Sequence, residues 1–285
     1  MARIGYGQVL KLITNLNMKK IFVLTGLLVT SLLSGFVHAS LMISPTRVVF
    51  DERQRTAKVF LINNSQEEKT YRLGWKEKHA LASGGYRDLA ADEVGPWRLS
   101  HMIRMTPKQV HLAPGERQVV KLALRRKKDM AHGEYRSHLF FQALPTEQHR
   151  VSQAIGINLN MILSYSIPIV YRKQVSIPAV TISDAQLKLN SAGQQVIHLD
   201  ISRQGHASAF GKIQAYWKAH NTKQWQRVSV ANNFAIYPEV AKANIELNIL
   251  NGQKIAGRGQ LKVTYDGQEE HAGKELAQKT FALTL

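Results

Sequence analysis

Apolar and polar residues alternate with a period of two along most of the chain, and the 3.6-residue period of amphipathic helices is scarce. The segment from Thr56 to Ile62 reads as a strand closed by the turn residues Asn63, Asn64 and Ser65. Strands follow from Tyr71 to Trp75, from Gln109 to Leu112, and, after the Pro114-Gly115 turn, from Gln118 to Leu124. In the last of these Val120, Leu122 and Leu124 share one face. Tyr135 to Leu144 is apolar and aromatic, and Pro145 ends it. Seven further strands are predicted between Val180 and Leu285. Many short strands with turn signals between them predict an all-β protein built from sandwiches. A domain boundary is placed near residues 172–176, giving domains 40–172 and 173–285.

One segment breaks the pattern by its length. Between Ile155 and Arg172 the odd positions Ile155, Ile157, Leu159, Met161, Leu163, Tyr165, Ile167 and Ile169 are all apolar, while Asn158, Asn160, Ser164 and Ser166 lie between them. From Ile155 to Ile169 an extended chain spans roughly 50 Å. An ordinary strand has about 5–6 residues, so this one overruns a single sheet unless something else pairs with its excess. Pro168 has no N–H to give a ladder, which marks its position as an edge, a bend or a switch between sheets.

The N-terminus changes the compartment. Lys19 and Lys20 precede the apolar run Ile21 to Phe36, and Val37-His38-Ala39 follows it, the pattern of a cleaved secretory signal. The run is shorter than the roughly 20 apolar residues of a membrane span, so no stable membrane insertion is expected. Residues 1–39 are read as the signal, Ser40 as the mature start, and Met18 as an alternative initiator. Such a signal directs export. The chain has no cysteine, so it relies on packed cores although export would permit disulfides. Lysine and arginine outnumber the acids to give a formal charge of +18. Removing Arg3, Lys11, Lys19 and Lys20 with the signal leaves +14, which favours acidic partners. Export argues against nucleic acid. The Arg125-Arg126-Lys127-Lys128 run reads as a solvated strand end and turn.

Catalytic chemistry finds little footing. Ser137 and His138 are adjacent, but neighbours on a strand point to opposite faces, and no glycine elbow flanks the serine. The histidines lack metal-ligand spacing, no phosphate loop or dinucleotide fingerprint appears, and no metal or cofactor is expected. Trp75, Trp97, Trp217 and Trp225 read as core residues of sandwiches. Asn63-Asn64-Ser65 matches a glycosylation acceptor but reads as a turn. Arg47 stands in an apolar first strand. A guanidinium there suits fork-like binding of a carboxylate or a salt bridge between domains.

Several segments together resemble one family. Ser44-Pro45-Thr46-Arg47-Val48-Val49-Phe50, the strand Thr56 to Asn64, and the Leu112-Ala113-Pro114-Gly115-Glu116 turn are similar to those of PapD-like periplasmic pilus chaperones. Gly133 to Leu139, Gly205 to Gly211 and Ala235 to Glu239 resemble the archaic Csu-type branch most closely. The resemblance implies two immunoglobulin-like β-sandwich domains set at an angle, and a non-enzymatic chaperone that caps pilus subunits by donor-strand complementation before delivery to an outer-membrane usher. It implies Arg47 as the anchor of a subunit's carboxylate. It implies Ile155, Ile157, Leu159, Met161 and Leu163 as the donor row. The family's second anchor is a lysine, and Pro168 stands at that place, with Arg172 and Lys173 beyond it. An exposed apolar edge also predicts self-association of the free protein. The competing reading is an exported adhesin or pilus component of two sandwiches.

Overall fold

The computed structural model describes residues 41–127, 129–145 and 163–284. The predicted signal, residues 1–39, is therefore outside it, together with four of the five donor-row positions, Ile155, Ile157, Leu159 and Met161. Among the described residues there is no α-helix, and no helix is long and apolar enough to cross a membrane.

The first eleven strands are β1 (Leu41–Ser44), β2 (Val48–Phe50), β3 (Thr56–Asn63), β4 (Lys69–Lys76), β5 (Lys78–Ala80), β6 (Tyr86–Asp88), β7 (Ile103–Thr106), β8 (Gln109–Leu112), β9 (Arg117–Leu124), β10 (Gly133–Leu144) and β11 (Ser164–Lys173). One sheet runs β1-β3-β9-β7 and the other β2-β11-β10-β4-β8. Between them lies a core that includes Phe50, Leu61, Tyr71, Leu122, Leu139, Phe141 and Ile169. Val120, Leu122 and Leu124 all point into it, as their spacing predicts. The opening segment is two strands rather than one. Pro45 interrupts it, so that β1 pairs with β3 in one sheet and β2 pairs with β11 in the other.

The chain then passes through residues 174–178 into β12 (Ala179–Leu189), β13 (Gln195–Gln204), β14 (Ala209–Ala219), β15 (Gln226–Ile236), β16 (Lys242–Asn248), β17 (Arg258–Gly267) and β18 (Glu275–Thr284). Sheets β12-β13-β16 and β15-β14-β17-β18 enclose a second core around Leu199, Ile213, Trp217, Leu261 and Tyr265. Gly211 is needed for close packing here, since a Cβ on it would lie 2.1 Å from the Asp266 carbonyl oxygen.

The sandwiches touch through a side of the first that is buried twice. Odd residues of β10 and β11 enter the first core, and Val170 on the other face of β11 belongs to the second core, with Val49 packed against it. This explains why β10 is buried on both faces along most of its length. The β5–β6 hairpin adds a second point of contact. Its strands are short and β6 is wholly exposed, so no alternation betrays it in the sequence. Ala80 nevertheless lies in the second core, and the Asn244 amide donates to the Ala82 carbonyl at 2.8 Å.

The core assignments predict a sharp contrast. Phe141 is fully buried and Leu189 is 69% exposed. Phe141→Ala is expected to lower unfolding free energy by about 3–5 kcal/mol, and Leu189→Ala by less than about 0.5 kcal/mol. Urea denaturation followed by tryptophan fluorescence measures both, and comparable losses would contradict the assignment.

Candidate functional site

The face of β2, β11 and β10 turned toward the second sandwich is charged as well as apolar. Strand parity places Arg47 with Val49, Arg172 with Val170, and Glu134 with Arg136 and His138. The register sets Glu134 opposite Arg172 and Arg136 opposite Val170, while Val170 faces Val49. Arg172 Nε accordingly donates to Glu134 Oε2 across the strands at 2.9 Å.

Arg47 lies at the centre and is 3% exposed. Its Nη1 donates to the Tyr237 hydroxyl at 2.9 Å. Its Nη2 donates to Ser208 Oγ at 3.1 Å and to Glu270 Oε1 at 3.2 Å. The guanidinium also lies 4.5 Å from the Phe210 ring centroid. Arg172 Nη2 reaches the same Glu270 oxygen at 3.1 Å and the same Ser208 hydroxyl at 3.0 Å. Ser208 in turn donates its amide and its hydroxyl to Glu134 Oε2, at 2.8 and 2.9 Å. Two guanidiniums thus share one serine and one glutamate oxygen supplied by the second sandwich. Burial alone opposes the Arg47 charge, but Tyr237, Glu270 and Glu134 outweigh it and hold its pKa above the ordinary value.

A second ionic contact lies alongside. Arg136 pairs with Glu239 and stacks 3.8 Å from the Tyr237 ring centroid. Glu239 also accepts from the Ala80 amide at 3.0 Å. Burial raises the Glu239 pKa, yet Arg136 and the amide bonds more than compensate and keep it below the usual carboxylate range. An open cavity of about 470 Å³ adjoins this contact, lined among others by Trp97, Arg98, Glu134, Arg136, His206 and Glu239. Arg47 does not line it.

Ser137 and His138 occupy opposite faces as their adjacency requires. The Ser137 hydroxyl accepts from the Leu99 and Ser100 amides at 2.9 and 2.8 Å and donates to the Glu77 carboxylate. His138 is 1% exposed, packs edge-on to Tyr86 with ring centroids 4.6 Å apart, and has no partner on either ring nitrogen among the described residues. Among the tryptophans only Trp217 is a buried core residue, while Trp97 is 48% exposed. Asn63, the first residue of the glycosylation-like triplet, is fully buried and donates to the Glu67, Leu112 and Ala113 carbonyls. Among the described residues no group of histidine, aspartate and glutamate could hold a metal ion.

Among the described residues Arg47 is the one predicted site residue that enters this cluster. Leu163 is half exposed just ahead of β11. The sequence reading did not single out Glu134, Ser208, Tyr237, Glu239 or Glu270, although four of them lie in the three segments that carried the Csu-type resemblance. Glu270 lies outside every such segment, in the 3-10 turn Glu269–His271.

One edge in the site is open. β11 pairs with β10 from Ser164 to Lys173, but β2 covers its other side only at Ile169, Val170 and Tyr171. Along Ser164 to Pro168 no strand among the described residues pairs with that outer edge.

No protein-family model and no curated protein matches the chain. Several solved structures to which it is similar are fimbrial chaperones. The CupB2 chaperone of Pseudomonas aeruginosa is 12% identical, with 86% of this chain and 100% of that one covered and a TM-score of 0.43. A chain from the complex of the Salmonella enterica SafA pilin with the SafB chaperone is 12% identical, with 87% and 99% covered and a TM-score of 0.44. A chain from the CsuC–CsuE chaperone–tip adhesion subunit complex of the archaic Csu pili of Acinetobacter baumannii is 12% identical, with 86% and 98% covered and a TM-score of 0.42. These values do not single out the Csu branch.

The buried imidazole gives a pH prediction. Burial first, then Arg136 and Lys78, push the His138 pKa from 6.5 down to about 2. Below pH 6.5 the unfolded chain therefore takes up a proton that the folded protein refuses, and stability falls as the pH drops toward 2. His138→Phe is expected to abolish about 2 kcal/mol of the loss between pH 7 and 4.5 while leaving stability at pH 7 unchanged or higher. Urea midpoints at the two pH values test this, and identical losses in both proteins would refute it.

Proposed function

We propose that this protein is a periplasmic, PapD-like assembly chaperone that holds pilus subunits by strand addition and passes them to an outer-membrane usher. The observation that carries the reading is the open outer edge of β11 beside the buried Arg47. A sheet edge offers unpaired N–H and C=O groups to a foreign strand. The alternating apolar row of the sequence runs directly into this edge from its N-terminal side. Ile155, Ile157, Leu159, Met161 and Leu163 enter the groove of a subunit that lacks a strand, each burial contributing about 1.5–3 kcal/mol. Ordering both chains offsets much of that sum. Ile167 and Ile169, by contrast, are buried in the protein's own first core.

In this reading the Arg47 guanidinium receives the carboxylate of the subunit, and residues 1–39 direct export. No bond is made or broken, so the work is capping: an aggregation-prone edge and an apolar slot are covered until assembly. The free chaperone covers its own edge by weak self-association.

The test is a periplasmic co-expression pull-down with candidate subunits encoded nearby. Leu159→Asp with Met161→Asp forfeits two apolar burials, about 3–6 kcal/mol, and should cut capture more than about a hundredfold while thermal unfolding stays unchanged. Arg47→Ala should weaken capture separately. Capture by the folded strand variants at the wild-type level would overturn the mechanism, and retention of capture by Arg47→Ala would overturn the anchor alone.

A further inference from the structure

The sheet β1-β3-β9-β7 closes the first core on the side away from β10 and β11, and its outer face lies apart from the open edge of β11. Its four strands contain no aspartate and no glutamate. Strand parity turns Lys58, Arg104, Arg117 and Lys121 outward, and all four are exposed. The register sets Lys58 directly opposite Lys121, a like-charge pair that is unfavourable until something negative meets it. None of Lys58, Arg104 and Lys121 forms an ion pair among the described residues. Arg125, Arg126 and Lys127 continue the basic surface past the end of β9. Acids enter in the flanking loops, as at Asp51 and Glu116, and Asp51 is already engaged by the Arg53 and Gln54 amides, each at 2.7 Å.

The same face is apolar where it is not basic. Met42 is 44% exposed, and Phe60, Ile62 and Val119 are half-buried. These four form one block, since Met42 faces Ile62 across β1 and β3, and Phe60 faces Val119 across β3 and β9. The Arg117 guanidinium lies 4.0 Å from the Phe60 ring centroid, so the cations border the apolar block directly. At the β7 border a cavity of about 570 Å³ repeats the combination, lined among others by Trp75, Arg104 and Lys108.

We propose that this face docks the protein on an anionic phospholipid surface, with the cations against headgroup phosphates and Met42 and its apolar neighbours entering the interface. An exported chain meets the lipid of the membrane it has crossed, and the proposal leans on the export reading at that point alone.

The chemistry of the face selects this occupant. A second copy of the chain would bring the same cations and be repelled. An acidic protein surface would answer the cations but set carboxylates against the exposed apolar block. A headgroup layer offers both partners at once, with phosphates outermost and hydrocarbon about 5–10 Å below them. Indole and lysine or arginine side chains are also the groups that settle at that depth. The contact is peripheral and reversible, because a few side chains enter and no segment spans. Since β11 belongs to the opposite sheet, docking leaves its outer edge open to a partner strand. It also gives the surplus positive charge of the chain a use that strand addition does not.

The test is flotation of the exported protein with vesicles of phosphatidylcholine alone, and of phosphatidylcholine and phosphatidylglycerol in equal parts. Wild type should float with the anionic vesicles and not with the neutral ones, and salt should weaken the binding by screening. Each cation near an anionic surface contributes about a fivefold factor. The combined variant Lys58→Gln, Arg104→Gln and Lys121→Gln should therefore bind about a hundredfold more weakly. Met42→Ser should reduce the part of the binding that survives high salt. A second combined variant, Lys218→Gln, Arg227→Gln and Lys262→Gln, removes the same charge from the second sandwich, where Lys218 and Lys262 lie 4.8 and 4.9 Å from the Trp225 ring. It should bind like wild type. All these positions lie outside the two cores, and thermal unfolding checks that each variant folds. Equal weakening by the two combined variants would show that net charge alone attracts the protein and would overturn the face. No flotation of wild type, or equal flotation with neutral vesicles, would overturn the lipid, as would binding of polyglutamate by a protein that floats with neither vesicle.

Discussion

Two buried guanidiniums, Arg47 and Arg172, need negative partners, and that requirement ties the structure together. Glu134 comes from β10, Ser208 from the approach to β14, Tyr237 from the end of β15 and Glu270 from the turn before β18. An uncompensated charge in such a place is costly, whereas the desolvation of a satisfied pair largely cancels its attraction. The cluster therefore contributes more to where the sandwiches meet than to how stable each one is. Only an arrangement that brings these side chains from both sandwiches together leaves no charge stranded.

The second constraint is carried by β10, which is buried on both faces along most of its length, and by β11 around Val170. Their inward residues complete the first core, and their outward residues form the floor on which the second sandwich and the β5–β6 hairpin rest. Tyr237 is where these contacts meet. Its hydroxyl accepts from Arg47 and from Tyr86 at 2.9 and 3.1 Å, and Arg136 covers its ring. The outward face is covered around Val170, whereas Ser164 and Ser166 stay exposed beside the edge. Since β2 begins at Val48, the edge is closed opposite Val170, and from Pro168 back to Ser164 no strand among the described residues pairs with it. A proline at the limit of the covered portion forms no ladder bond and so loses none.

Much of this was legible in the sequence. Alternation in β3, β8 and β9 marked strands to within a residue or two, because each turns one face into a core, and the apolar and aromatic run marked β10. Pro168 marked the place where pairing changes. Arg47 stood out as a charge in an apolar strand. The β5–β6 hairpin escaped because its strands are three residues each and carry no readable alternation, and β1 and β2 were fused because a proline between two apolar runs does not reveal that they join different sheets. His138 was unremarkable as a residue type, and the lack of a hydrogen-bond partner for its ring nitrogens among the described residues follows only from what surrounds it.

The sequence by itself determined most of the longer strands, their inward residues, and the presence of a long apolar row leading into β11, since a period of two is a local property that each segment carries alone. Tertiary structure decided which charges meet. Arg47 and Glu270 are far apart in the chain, and nothing in either segment names the other. Their pairing is set by the register of β2 on β11, by the crossing of the two sandwiches, and by a turn between β17 and β18 whose position depends on all of these. Long-range ion pairs of this kind exist only after the cores have formed, because it is burial that makes an unpaired charge too costly to leave alone.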